Sequence, residues 1–234
     1  MISAVTSDPL ADLPLARAST LVQQVYAELK GRILDGRLAP GAEVPDSVIA
    51  KQMGVSRAPV RDACNILVQS GLLMKQQNYP YRVREFSERD LSELELIRWG
   101  YESAAVRHLV RAQTRPDGVA EPLDRMRQAA RTGDAPLSGQ ADLDFHAALV
   151  SSSGLDELTR RHRSVLDQLQ ASLRSFPLFL LPTQEHRHQE ILDVLGESQA
   201  AGDPDPILRL MSTHLLTVRS DIEPNELLRP PPVA

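Results

Sequence analysis

The sequence predicts a mainly α-helical protein in two parts: a pair of short helices hinged at a glycine within residues 19–85, and an antiparallel bundle of about six helices over residues 87–223. Three observations carry that expectation. The stretch Asp46 to Leu73 holds two short helical patterns on either side of Gly54, which is how a helix-turn-helix looks in sequence. From Ser87 onward apolar residues recur at helical spacing, broken only by glycine and proline. The charge is also unevenly divided. Residues 1–85 hold ten Lys and Arg against eight Asp and Glu, and the rest of this net −5 chain holds sixteen against twenty-three. Such polarity suits two ends with different tasks.

Residues 1–18 carry Pro9 and Pro14 without periodicity and read as a mobile tail. Ser19 or Thr20 can then cap a helix whose Val22, Val25, Tyr26, Leu29 and Ile33 keep a 3.6-residue period, and Gly36 ends it. Leu38 to Val44 reads as a short strand or extended link, with Pro40-Gly41 as its turn. In the next helix Val48, Ile49 and Met53 supply an apolar face, and Gly54 permits the left-handed residue that stops it. Ser56 is a good N-cap for the second helix, and Pro59, in its first turn, gives up only an N–H that has no intrahelical partner.

That second helix starts near Arg57 and places Val60, Ala63, Cys64 and Leu67 on one face. Cys64, the single cysteine, is read as a small core residue. Arg57, Arg61 and Asn65 lie at i, i+4 and i+8 on the other face. An isolated amphipathic helix with two solvated arginines would show the same pattern. The surroundings point elsewhere, because Lys51 to Arg84 contain six basic residues and one acid, Asp62. A helix N-terminus carrying arginines suits the major groove of duplex DNA, and Lys51 and Ser56 join Arg57, Arg61 and Asn65 as candidate contacts.

Glu85-Phe86 marks the expected boundary, since Ser87-x-x-Asp90 is a capping-box-like start to a helix using Leu91, Leu94, Ile97, Tyr101, Ala104, Ala105, Leu109 and Val110. Helices are expected over 88–112, 118–131, 139–152, 155–174, 183–200 and 205–221, separated by Pro116, Gly133 with Pro136, Gly154, Pro177 with Pro182, and Gly202. The tail after Pro224 is expected to be loose. The longest apolar run, Phe176 to Leu181, is bracketed by prolines and far short of the roughly 20 residues of a membrane span. No signal-peptide pattern opens the chain, so no membrane association and a cytoplasmic location are expected.

Six histidines fall in the second part. Asp142 and His146, at i and i+4, can point from one helix into a bundle interior, while His188 and His214 lie on the last two helices. Imidazole with one carboxylate suits Zn, Ni, Fe or Mn better than Ca or Mg, although ordinary surface polar residues would explain an isolated Asp-x-x-x-His. His186 points away from His188, Glu185-x-x-His188 is a lone half of a di-iron motif, and His108 and His162 lack partners and are assigned to the surface.

Two longer motifs add a resemblance. Gly36-x-x-x-Pro40-Gly41, Ala50-x-x-x-Gly54-Val55-Ser56-Arg57-x-Pro59-Val60-Arg61-x-Ala63 and Gly71-Leu72 resemble the winged-helix domain of GntR-type bacterial transcription regulators over about residues 20–84. The resemblance implies that Arg57 and Arg61 contact operator DNA and that Gly71 to Val83 form a two-stranded wing. Where the family usually has a glycine at the wing tip, this chain has Gln77-Asn78-Tyr79-Pro80-Tyr81.

Asp142-x-x-Phe145-His146, His188-x-x-Ile191-Leu192-x-x-Leu195, Gly202-Asp203 and Met211-x-x-His214-Leu215 are in turn similar to the helical effector (FCD) domain of FadR-like members over about 88–220. That similarity implies one divalent transition-metal ion, Zn, Ni or Mn, held by Asp142, His146, His188 and His214. It also sets Arg98, one turn before Glu102, near the pocket as a holder of the effector's carboxylate; a plain surface pair of Arg98 with Glu102 is the alternative. Two departures stand out: about one extra helical turn at Gly196 to Ala201, and Leu155 where the family commonly has asparagine.

The function expected is a homodimeric repressor-type transcription regulator that binds double-stranded operator DNA and answers to a small organic acid. The alternative is a metal-dependent enzyme built on the Asp/His cluster. Against it, the sequence offers no Ser/His/Asp set, no glycine-rich phosphate loop and no general base beside the cluster other than the ligands themselves.

Overall fold

A computed structural model of the chain describes residues 20–172 and 185–216. The expectations for the N-terminal tail, the segment around Pro177 and Pro182, and the C-terminal tail lie outside these residues.

The elements follow the order α1 (Thr20–Leu34), β1 (Glu43–Val44), α2 (Asp46–Met53), α3 (Arg57–Gln69), β2 (Leu73–Lys75), β3 (Tyr81–Val83), α4 (Glu88–Ala112), α5 (Ala120–Thr132), α6 (Ala135–Ser151), α7 (Asp156–Ser172), α8 (Glu185–Ala201) and α9 (Asp205–Leu216). Gly54 takes φ 65° and ends α2 by returning its N–H to Ala50, which makes the hinge of the helix-turn-helix. Ser56 has the extended backbone of an N-cap, but its hydroxyl makes no capping hydrogen bond. The Ser87 to Asp90 capping box is complete at the start of α4. Helix α6 begins four residues before its expected start, because the Asp134 carboxylate accepts from the Leu137 N–H at 2.9 Å and Pro136 falls harmlessly in the first turn.

The two wing strands β2 and β3 pair as expected, and the short strand expected within Leu38 to Val44 joins them at residues 43–44, giving an antiparallel sheet of order β1-β3-β2 with Val44 opposite Tyr81 and Leu73 opposite Val83. At the wing tip Asn78 adopts φ 66°, the left-handed conformation that asparagine tolerates better than most residues.

Two clusters of buried side chains make the core. In the first, Val25, Leu29, Leu67 and Leu72 pack in one continuous set with Leu91, Leu94, Leu143, Val165, Leu166 and Leu169. The helix-turn-helix is therefore seated on α4 and α7 rather than tethered to them. Polar contacts reinforce the seat: Lys30 Nζ meets Asp167 Oδ2 at 2.6 Å, and Arg84 Nη1 donates to Gln168 Oε1 at 3.2 Å. Gly71, at φ 74°, lies so near α7 that a Cβ there would stand 2.6 Å from the Gln168 oxygen. The second cluster gathers Leu109, Met126, Phe145, Leu149, Ile191, Leu195, Ile207 and Met211 from α4, α5, α6, α8 and α9. No helix among the described residues is long and apolar enough to cross a membrane.

Val48, expected on the apolar face of α2, is instead 47% exposed, because that face is narrow enough for Ala50 to be its one buried residue. Leu67→Ala should therefore lower unfolding stability by about 2–5 kcal/mol in urea titrations, whereas Val48→Ala should stay within about 0.5 kcal/mol of wild type.

Candidate functional site

Two groups of the expected residues come together, one on the outer face of the helix-turn-helix and one in the bundle interior. On the outside, α3 buries Val60, Ala63, Cys64 and Leu67 and exposes Arg57, Arg61 and Asn65; Lys51 and Ser56 are exposed nearby. Burial raises the Cys64 thiol to about 11, which keeps it an inert core group. Arg57 is not free in solvent: its Nη2 lies 3.0 Å from both carboxylate oxygens of Asp46. Asn65 is also engaged, since the Tyr81 hydroxyl donates to its Oδ1 at 2.9 Å across the junction of α3 with the sheet. Neither contact was expected from helical spacing, because Asp46 and Tyr81 lie on other elements.

In the interior, Asp142, His146, His188 and His214 each bring a ligand-type atom to one place, all within 4.8 Å of one another. Helix α6 supplies Asp142 and His146 one turn apart, and α8 and α9 supply one histidine each. His188 Nε2 lies 2.9 Å from Asp142 Oδ1, and His146 Nε2 lies 3.2 Å from His214 Nε2. His146, His188 and His214 are buried. His186, by contrast, is exposed, in agreement with its expected orientation.

The surrounding contacts test whether these residues fit a metal ion. Glu102 Oε2 lies 2.6 Å from His146 Nδ1. A carboxylate at that distance accepts a hydrogen, so a neutral His146 carries its proton on Nδ1 and turns a bare Nε2 lone pair toward the cluster. A carboxylate fixing a histidine tautomer in this way is the usual outer support of a metal ligand. Burial depresses His214, and the neighbouring His146 and His188 depress it further, so it stays neutral. Burial alone would raise Asp142, but His188, His146 and Arg98 around it hold its carboxyl far below the usual range. Imidazoles kept from protonating, as burial does for His146 and His214, beside an ionised carboxylate are the donor set that a first-row divalent ion requires. The residues fit.

Arg98 and Glu102 are a buried pair and not a surface one, at 5% and 0% exposure. Arg98 Nε donates to Glu102 Oε1 at 2.8 Å, and its Nη2 reaches 3.5 Å from Asp142 Oδ2. His162 corrects the expectation more sharply. It is 1% exposed, and its Nε2 lies 3.1 Å from Glu102 Oε1. The signal was present in the sequence: His162, Val165, Leu166 and Leu169 stand at i, i+3, i+4 and i+7, the buried stripe of α7. Spacing along the chain does not reveal its partner, because Glu102 is on another helix. Burial pushes the Glu102 carboxyl up, yet His146 and Arg98 beside it outweigh that and hold it well below the ordinary range.

Comparison with known proteins finds a match in each half of the chain. The family of bacterial regulatory proteins called gntR matches residues 21–83, and the FCD domain matches residues 96–217. The chain is 30% identical over 204 residues to the "Probable D-xylose utilization operon transcriptional repressor" of Paenarthrobacter nicotinovorans, covering 85% of each protein. It is 24% identical over 207 residues to the gluconate operon transcriptional repressor of Bacillus subtilis, covering 86% of this chain and 83% of that one. Among solved structures, a GntR transcriptional regulator of Rhodococcus sp. RHA1 superposes with a TM-score of 0.69 at 27% identity, over 86% of this chain and 99% of that one. These families and relatives are transcription regulators and not enzymes. The chain thus belongs to the gntR family of bacterial regulatory proteins, in the branch whose helix-turn-helix is followed by an FCD domain.

Proposed function

We propose that this regulator binds operator DNA through residues 19–85, senses a small carboxylate in the pocket of residues 87–223, and works as a cytoplasmic homodimer. The observation that carries the reading is the buried set Asp142, His146, His188 and His214, backed by Arg98 and Glu102, inside a domain that is packed directly against the DNA-binding one. A protein that only shaped DNA would have no use for such a set.

The roles divide as follows. Arg57 and Arg61 face the duplex, with Lys51 and Ser56 on the phosphate side, and two copies of α3 address two half-sites. In the pocket, Asp142, His146, His188 and His214 hold one divalent transition-metal ion, which when bound supplies an electrophilic centre for an anionic oxygen. Arg98 presents its guanidinium to the same space and suits the ligand's carboxylate, while Glu102 orients both Arg98 and His146. The operon named for the Bacillus subtilis relative concerns gluconate, a hydroxy acid, which is in keeping with a carboxylate; the xylose operon of the other relative leaves the ligand's identity open. Ligand binding controls operator affinity to the extent that it favours one seating of the DNA-binding domains over another.

Arg61→Ala should weaken binding to the DNA upstream of the gene by about 1–3 kcal/mol, and wild-type affinity should fall steeply with salt, both read by fluorescence anisotropy. Equal binding by wild type and the Arg57/Arg61 double alanine variant would remove the case for α3 as the reading helix. Sedimentation of the pure protein at micromolar concentration should show a dimer; a chain that stays monomeric even on DNA argues against paired half-sites. Elemental analysis should find about one transition-metal ion per chain, lost in His146→Ala and His188→Ala. Those variants should keep DNA binding but lose its response to a panel of hydroxy acids beginning with gluconate. A response retained by metal-free protein would show that the pocket works without an ion.

A further inference from the structure

The contact between α3 and the sheet carries a consequence for which base the protein reads. Tyr81 is the residue of β3 that stands opposite both Val44 and Lys75, so strands on either side hold it. Its ring is only 5% exposed, and Lys75 Nζ sits 4.4 Å from the ring centroid. From this fixed position its hydroxyl meets Asn65 Oδ1 at 2.9 Å. The direction of that bond follows from its two ends: an amide oxygen can only accept, so the phenol gives its one hydrogen to Asn65 Oδ1.

Asn65 is exposed on the face of α3 that carries Arg57 and Arg61. An asparagine free to rotate pairs bidentately with adenine, donating to N7 and accepting from the N6 amino group. Here the oxygen is turned to the sheet. Oxygen and nitrogen branch from the same carbon in different directions, so the end of the amide left facing outward is the NH2 group. Two N–H donors side by side match guanine, whose N7 and O6 both accept, and leave the adenine amino group without a partner.

We propose that Tyr81 is a specificity-setting positioning residue: by holding the Asn65 carbonyl it makes Asn65 a reader of guanine in place of adenine. This rests on the reading of α3 as the helix that enters the major groove. Tyr81 itself touches no base.

The test is enrichment of bound duplexes from a random-sequence pool, run with the full-length wild type and three variants. Wild type should select a half-site with guanine at the position governed by residue 65, and Asn65→Ala should erase the preference at that position alone. Tyr81→Phe, which removes only the hydroxyl, should move that preference toward adenine, by about five- to a hundred-fold in relative enrichment. Its thermal midpoint is measured alongside. Asn65→Asp keeps the acceptor for Tyr81 but has no donor and sits at an exposed position, so it keeps the test alive if Tyr81→Phe folds poorly; it should lose the guanine preference.

Adenine at the Asn65-dependent position in wild type overturns the inference. So does a guanine preference that survives Tyr81→Phe in folded protein or survives Asn65→Asp, or an Asn65→Ala variant that weakens all sequences evenly, which would mark a phosphate contact. A wild type that enriches no sequence overturns the DNA-binding reading and this inference with it; a wild type that enriches a site indifferent to residue 65 overturns the inference alone.

Discussion

The carboxylate of Glu102 is the constraint on which the bundle depends. It is fully buried, and an ionised carboxylate without partners in such a place costs several kcal/mol. Three helices supply those partners: Arg98 Nε from its own helix at 2.8 Å, His146 Nδ1 from α6 at 2.6 Å and His162 Nε2 from α7 at 3.1 Å. Well-packed apolar residues would stabilise a bundle at least as well as this network. What it does is fix the His146 tautomer and the Arg98 fork beside the cluster of Asp142, His188 and His214.

Helix α7 carries this arrangement outward. His162 touches Glu102 at one end of its buried stripe, and further along Asp167 pairs with Lys30 of α1 while Gln168 lies against Gly71 and Arg84. The helix that closes one side of the polar cluster is thus the same one on which the DNA-binding domain is seated. Packed interiors shift between discrete arrangements more readily than they deform. A change in the cluster's shape and a change in that seat therefore share one rigid element.

The α3 face proposed to read DNA is similarly organised by residues outside the helix that presents it. Asp46, from the first turn of α2, holds Arg57 from two oxygens, and Tyr81, from the central strand of the sheet, holds Asn65. Side chains held in this way lose less conformational freedom on meeting a duplex than freely rotating ones. The third strand, β1, is part of this design, because it flanks β3 on the side away from β2 and so fixes Tyr81 from both directions.

Local chemistry sufficed for much of this to be legible in the sequence. Gly54 and Ser56 mark the hinge, Ser87 and Asp90 mark the start of the long helix α4, and the apolar periods place α1, α3 and α4 nearly to the residue. The four cluster residues were legible too, since Asp142 and His146 share a helical face and the wider motif supplied His188 and His214. What the sequence could not decide are the contacts whose two halves lie far apart in the chain. The burial of His162, the place of Glu102 between three helices, the pairing of residues 43–44 with β3, and the bond from Tyr81 to Asn65 all join separate elements. Helical and strand periods state which way a side chain faces, but only the packing of elements decides what it finds there. A buried polar group takes its protonation state and its function from that neighbour.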